Sequence, residues 1–157
     1  MYEFLKETVL PNMAHRAKTV APEMTVGDLL RLFKVDGSDA YPVVSGETLV
    51  GIVSKADAFK AFALTPDNVV PRYDDKMGTT VAEVMSHEVI TVDTATNLQR
   101  VLHLMVTHHF NSLPVIDGKN RLKGIITRDD LIEVLVRCAD HATLPLTPPA
   151  VGYYAIL

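Results

Sequence analysis

The chain repeats itself, and that repeat constrains its fold more than any other feature. Tyr41-Pro42-Val43-Val44 followed by Leu49-Val50-Gly51-Ile52-Val53-Ser54-Lys55-Ala56-Asp57 returns as Leu113-Pro114-Val115-Ile116 followed by Leu122-Lys123-Gly124-Ile125-Ile126-Thr127-Arg128-Asp129-Asp130. The prolines are offset by 72 residues and the glycines by 73, because the intervening turn is longer in the second copy. Upstream, Thr19-Val20 matches Thr91-Val92, Val26 matches Leu98 and Leu30 matches Leu102.

Within each copy the apolar period changes in a fixed order: short strand, helix, hairpin, helix. Leu98, Val101, Leu102, Met105 and Val106 fall on one helical face. Leu113–Ile116 and Leu122–Thr127 are short β-branched runs joined through Asp117-Gly118, the pattern of a hairpin. Leu131, Ile132, Leu135 and Val136 form the stripe of a closing helix. The first copy follows suit with Val26, Leu29, Leu30 and Phe33, then Phe59 and Phe62. The expected class is α/β (α+β), with two β-α-β-β-α repeats.

A leading helix is expected before each copy, from Tyr2 to Asn12 and from Thr80-Val81-Ala82-Glu83, which has capping-box spacing. The expected divisions are residues 1–66 for the first repeat with its leading helix, 67–79 for a connection, 80–140 for the second repeat and 141–157 for a Pro-rich tail. The connection, whose surroundings include Pro66 and Pro71, reads as polar and non-helical, with Arg72 and Lys76 as charges that could close over a ligand. The tail mixes Pro145, Pro148 and Pro149 with Val151, Tyr153, Tyr154, Ile156 and Leu157, and such a greasy segment calls for a cover.

At 157 residues and 48% hydrophobic, the chain can bury a substantial core. A net charge of -4 gives no electrostatic reason to expect nucleic acid as the main partner. Cys138 stands alone, so no intramolecular disulfide forms and a reducing cytoplasm is expected. No apolar run has the length of a membrane span or the pattern of a signal peptide.

The duplicated motif of Gly, two apolar residues, Ser or Thr, two variable residues and Asp resembles the CBS domain, named for cystathionine β-synthase. The resemblance covers roughly Lys18 to Cys138. It implies a tandem pair, or Bateman module, packed about a pseudo-twofold axis with clefts that bind adenosine derivatives. It further implies that Ser54 with Asp57, and Thr127 with Asp130, hold ribose hydroxyls, chemistry suited to a carboxylate accepting from a cis-diol. By the same resemblance the adenine slot falls at Val20, Tyr41 and Pro42 in the first copy and at Val92, Leu113 and Pro114 in the second. Lys55 and Arg128, beside helix starts, are phosphate candidates, as are His108 and His109 if their helix end approaches a cleft.

Each of these residues also has a plainer reading. Ser54 and Asp57, like Thr127 and Asp130, have the spacing of a helix capping box. The slot residues read equally well as core, and a half-buried strand tyrosine is common. His103, His108 and His109 lack companions at ligand spacing, so no metal is expected. No activated nucleophile or Gly-rich phosphate loop supports an enzyme.

The leading function is therefore a regulatory module that senses AMP, ADP, ATP or a relative such as S-adenosylmethionine, with no required cofactor, and passes its state to an unidentified regulated protein. The alternative is a ligand-free dimerisation or interaction module, and a homodimer fits either. The copies differ at Ser54 and Thr127, Lys55 and Arg128, and Tyr41 and Leu113, so unequal clefts are expected.

Overall fold

A computed structural model describes residues 2–63 and 72–140. The elements run α1 (Tyr2–Lys6), α2 (Val26–Asp36), β1 (Ala40–Ser45), β2 (Thr48–Ser54), α3 (Lys55–Lys60), α4 (Tyr73–Met77), α5 (Val81–Val84), β3 (Val92–Asp93), α6 (Leu98–His108), β4 (Ser112–Ile116), β5 (Leu122–Thr127) and α7 (Arg128–Asp140). The tail falls outside the described residues.

Both hairpins form as the β-branched runs require, with Tyr41 opposite Val53 and Leu113 opposite Ile126. In the second repeat β3 adds a parallel strand, pairing Val92 with Val115 and Asp93 with Ile116. In the first repeat the expected opening strand shrinks to a single parallel bridge between Val20 and Val43. The cause is covalent. Pro22 stands where the second copy has Thr94, and a proline has no N–H to extend the ladder.

The leading segments cross over. Phe4, Val9 and Met13 are buried among Val92, Leu98, Val115 and Ile126 of the second repeat, while Val81 is buried among Val20, Leu29, Val43 and Val53 of the first. Each core is thus completed by a segment that precedes the other copy in sequence. The backbone bridges come in matching pairs: Thr8 with Asn97 and Thr25 with Thr80, Ala14 with Ile125 and Ile52 with Ser86. The crossing explains the two motif glycines. A Cβ on Gly124 would lie 2.3 Å from the Ala14 carbonyl oxygen, and one on Gly51 would lie 2.6 Å from the Met85 sulfur, so both positions are closed to a side chain as they stand.

Several sequence expectations need correction. The first leading helix ends at Lys6, because residues 8 to 10 bond the second repeat instead: Val9 N–H donates to Thr96 O and Leu10 N–H to Thr94 O. Part of the connection is helical, as α4, and Met77 packs against Gly27 of α2. On α6 the core face is Leu98, Val101, Leu104 and Met105, leaving Leu102 half-buried and Val106 64% exposed. On α7 only Leu131 and Val134 are buried, with Cys138 half-buried against the same core, whereas Ile132, Leu135 and Val136 face outward. Phe59 of α3 is also 64% exposed. The sequence stripes were wider than the cores they face, and the excess apolar residues stand exposed on α3, α6 and α7.

Candidate functional site

The repeats meet about an axis marked by two contacts between equivalent residues. Asn111 donates from Nδ2 to Asp39 Oδ2 at 3.2 Å, and the hairpin tips pair through Thr48 and Arg121. On either side of the Asp39 and Asn111 pair lies a cleft, and both residues line both clefts.

The larger cleft encloses about 470 Å³, within the range of small-molecule sites. Ser54 and Asp57 of the first motif line it opposite Leu113 and Pro114 of the second copy, with Ile90 and Phe110 adding apolar wall. The smaller cleft, about 330 Å³, sets Thr127 of the second motif opposite Tyr41 of the first copy. Each cleft is therefore a hybrid, with its motif from one repeat, its expected slot residues from the other and strand residues of both on its wall. The first motif thus meets Leu113 and Pro114 of the second copy, and Thr127 meets Tyr41 of the first.

Both motifs close as capping boxes. Ser54 N–H and Oγ donate to Asp57 Oδ2 at 2.9 and 2.7 Å, and Asp57 N–H returns a bond to Ser54 Oγ. Thr127 N–H and Oγ1 donate to Asp130 Oδ2 at 2.7 and 2.8 Å, and Asp130 N–H bonds Thr127 Oγ1. The boxes use one carboxylate oxygen each. The other oxygen of Asp57 accepts from Lys60 Nζ, whereas Glu133 occupies the place of Lys60 beside Asp130. Burial raises the Asp57 pKa, but the bonds from Lys60 and Ser54 outweigh it and hold the carboxyl below its usual range. Asp57 is thus a buried anion, 7% exposed, at the wall of the cleft.

The remaining candidates scatter. Tyr41 is buried, its ring stacked on Phe33 at 5.0 Å between centroids and its hydroxyl donating to Asp36. Val20, Pro42 and Val92 line neither cleft and belong to the packed interior. Lys55 is held by Asp39 at 3.0 Å, and Arg128 Nε donates to the Phe110 carbonyl oxygen at 2.8 Å. Asp130 itself is not on the wall of the smaller cleft, although its neighbour Asp129 is. His109 lines the larger cleft, while His108 stacks on Phe110 at 5.4 Å. Among the described residues no three His, Cys, Asp or Glu side chains gather as a metal would need, and no helix is long and apolar enough to cross a membrane.

Sequence reasoning missed the segments just before each first strand. Arg16 and Lys18 line the smaller cleft, and Glu88 and Ile90, at the 72-residue offset, line the larger. The repeat offset was the signal that could have found them.

A CBS domain family model matches residues 7–64 and 81–137. The uncharacterized protein MJ0188 of Methanocaldococcus jannaschii is 32% identical over 120 residues, which make up 76% of this chain and 41% of that protein. The chain spans at most 41% of the length of the first curated relatives it matches. Among solved structures, CBSX2 from Arabidopsis thaliana in complex with AMP superposes with a TM-score of 0.73 at 27% identity, covering 84% of this chain and 98% of that one. The cytosolic domain of the Mg2+ channel MgtE in complex with ATP gives 0.60 at 32% identity, covering 78% and 46%. With two matched domains, crossed leading segments and paired clefts, the chain belongs to the CBS domain family as a tandem pair.

Proposed function

We propose that the chain is a regulatory module that holds an adenosine-containing small molecule in the clefts between its repeats. The observation that carries this reading is the larger cleft, where a buried, ionised Asp57 faces an apolar wall formed by Leu113 and Pro114. A carboxylate there accepts from ribose hydroxyls while the wall takes the base. In the smaller cleft Thr127 would contact the ribose, with Asp130 behind it holding the hydroxyl in place. The complexes of CBSX2 with AMP and of the MgtE cytosolic domain with ATP support the ligand class. Binding shifts the module only by the difference in affinity between its arrangements, and its output passes to a regulated protein. We place the module in the cytoplasm, on the single cysteine.

The uncovered apolar residues favour a second reading in parallel. Phe59, Val106, Ile132 and Val136 are each about half exposed or more, and none of them lines either cleft. Such a surface suits a second copy of this chain, so the module would work as a homodimer.

Thermal unfolding against AMP, ADP, ATP, NAD and S-adenosylmethionine tests the function. A ligand at about a hundred times its dissociation constant adds about 2.7 kcal/mol, on the order of 5 to 10 °C here. The expected result is a shift of that size that Asp57→Ala or Asp130→Ala reduces. No shift with any compound, together with self-association that none of them alters, would leave the interaction module in its place.

A further inference from the structure

The clefts carry opposite charge at positions that the repeat makes equivalent. Arg16 in the smaller cleft corresponds to Glu88 in the larger, and Lys18 corresponds to Ile90. Other charges on the walls are largely spoken for. Asp39 is paired with Lys55 at 3.0 Å, Asp57 with Lys60, and Lys18 with Asp36 at 2.9 Å. That leaves Glu88 with His109 in the larger cleft, and Arg16 with Asp129 in the smaller. A guanidinium offers a planar fork of donors that matches a phosphate and offsets Asp129, whereas the larger cleft has no lysine or arginine on its wall to offset Glu88.

We infer that the two clefts divide their ligands by charge. The smaller cleft takes a phosphate-bearing adenine nucleotide, held through Arg16, and the larger takes a phosphate-free adenosine compound. This division rests on the adenosine-binding function proposed above. It also identifies a phosphate contact that the motif does not contain, since Lys55 and Arg128 are engaged by Asp39 and by the Phe110 carbonyl. Asp39 and Asn111, shared by both clefts, place the two ligands on either side of one hydrogen bond.

Titration calorimetry with AMP and with adenosine, on the wild type and on R16E, E88R and D57A, tests the division. The wild type should bind one equivalent of AMP. R16E should weaken AMP about tenfold or more while adenosine still binds, because it reverses the charge that meets the phosphate. E88R should admit a second equivalent of AMP. D57A should remove adenosine from the larger cleft and leave AMP binding intact. Arg16 and Glu88 are exposed, so unchanged melting temperatures will show that these variants fold. Two equal AMP sites in the wild type, or an R16E protein that binds AMP within twofold of wild type, would overturn the division and leave the adenosine function standing. If neither adenosine nor AMP binds, the division fails, and if no compound of the thermal panel shifts the melting temperature either, that function fails as well.

Discussion

At Gly51 the leading segment of the second repeat passes over the strand with the Met85 side chain nearest, whereas at Gly124 the leading segment of the first passes with the Ala14 backbone nearest. The two crossings are equivalent in sequence but unequal in give. A thioether can rotate aside, which leaves the Ser86 carbonyl oxygen at 3.0 Å. The Ala14 carbonyl oxygen instead stands at 2.3 Å and, bonded to Ile125 N–H at 3.1 Å, cannot move without breaking the bridge. Pseudo-symmetry therefore reproduces the path of the chain without reproducing its tolerance. Gly124→Ala should cost about 3 kcal/mol and Gly51→Ala about 1, measured by urea unfolding. Equal losses would mean that the Ala14 crossing is as compliant as the Met85 one.

The same comparison shows what the sequence could and could not convey. The hairpins, the family and the motif residues were legible because they depend on local period and on a spacing shared by both copies. The hybrid clefts were not, because nothing local says that Val9 is buried beside Leu98 or that Val81 is buried beside Leu29. The width of the helix stripes misled for a related reason. Apolar residues such as Ile132 and Val136 register as core in a sequence whether they face their own sheet or an outer surface.

The repeats also differ in how they fix the end of their first helix. In the first, Asp36 accepts from Tyr41, Lys18 and the Ser38 N–H, which together hold its carboxyl well below the usual range. In the second, His108, Leu113 and Ile90 stand at the places of Asp36, Tyr41 and Lys18, so no such network exists. Burial, and then the bond to Asp36, push the Tyr41 hydroxyl up to about 12. A raised pKa gives stability that is fully present below the unfolded value of about 10 and is lost as pH rises to the folded value. Tyr41→Phe should cost about 1 kcal/mol at neutral pH and flatten the alkaline limb of the stability curve between pH 10 and 12. A limb that stays steep in the variant would assign the alkaline loss to other groups.

The smallest contrast is one residue beyond that network. Gly37 ends α2 at φ 71°, and His109 ends α6 at φ 58°, the same left-handed turn with a side chain that disfavours it. Glycine is the residue that relaxes this position, and the first repeat uses it. The second instead keeps a ring on the wall of the larger cleft, a local cost at a place where a ligand would meet it. His109→Gly should stabilise the ligand-free protein by about 0.5 kcal/mol and weaken adenosine binding in the larger cleft. The two effects must appear together for the histidine to be there for the ligand. A gain in stability with unchanged binding would make it a tolerated defect of the second repeat.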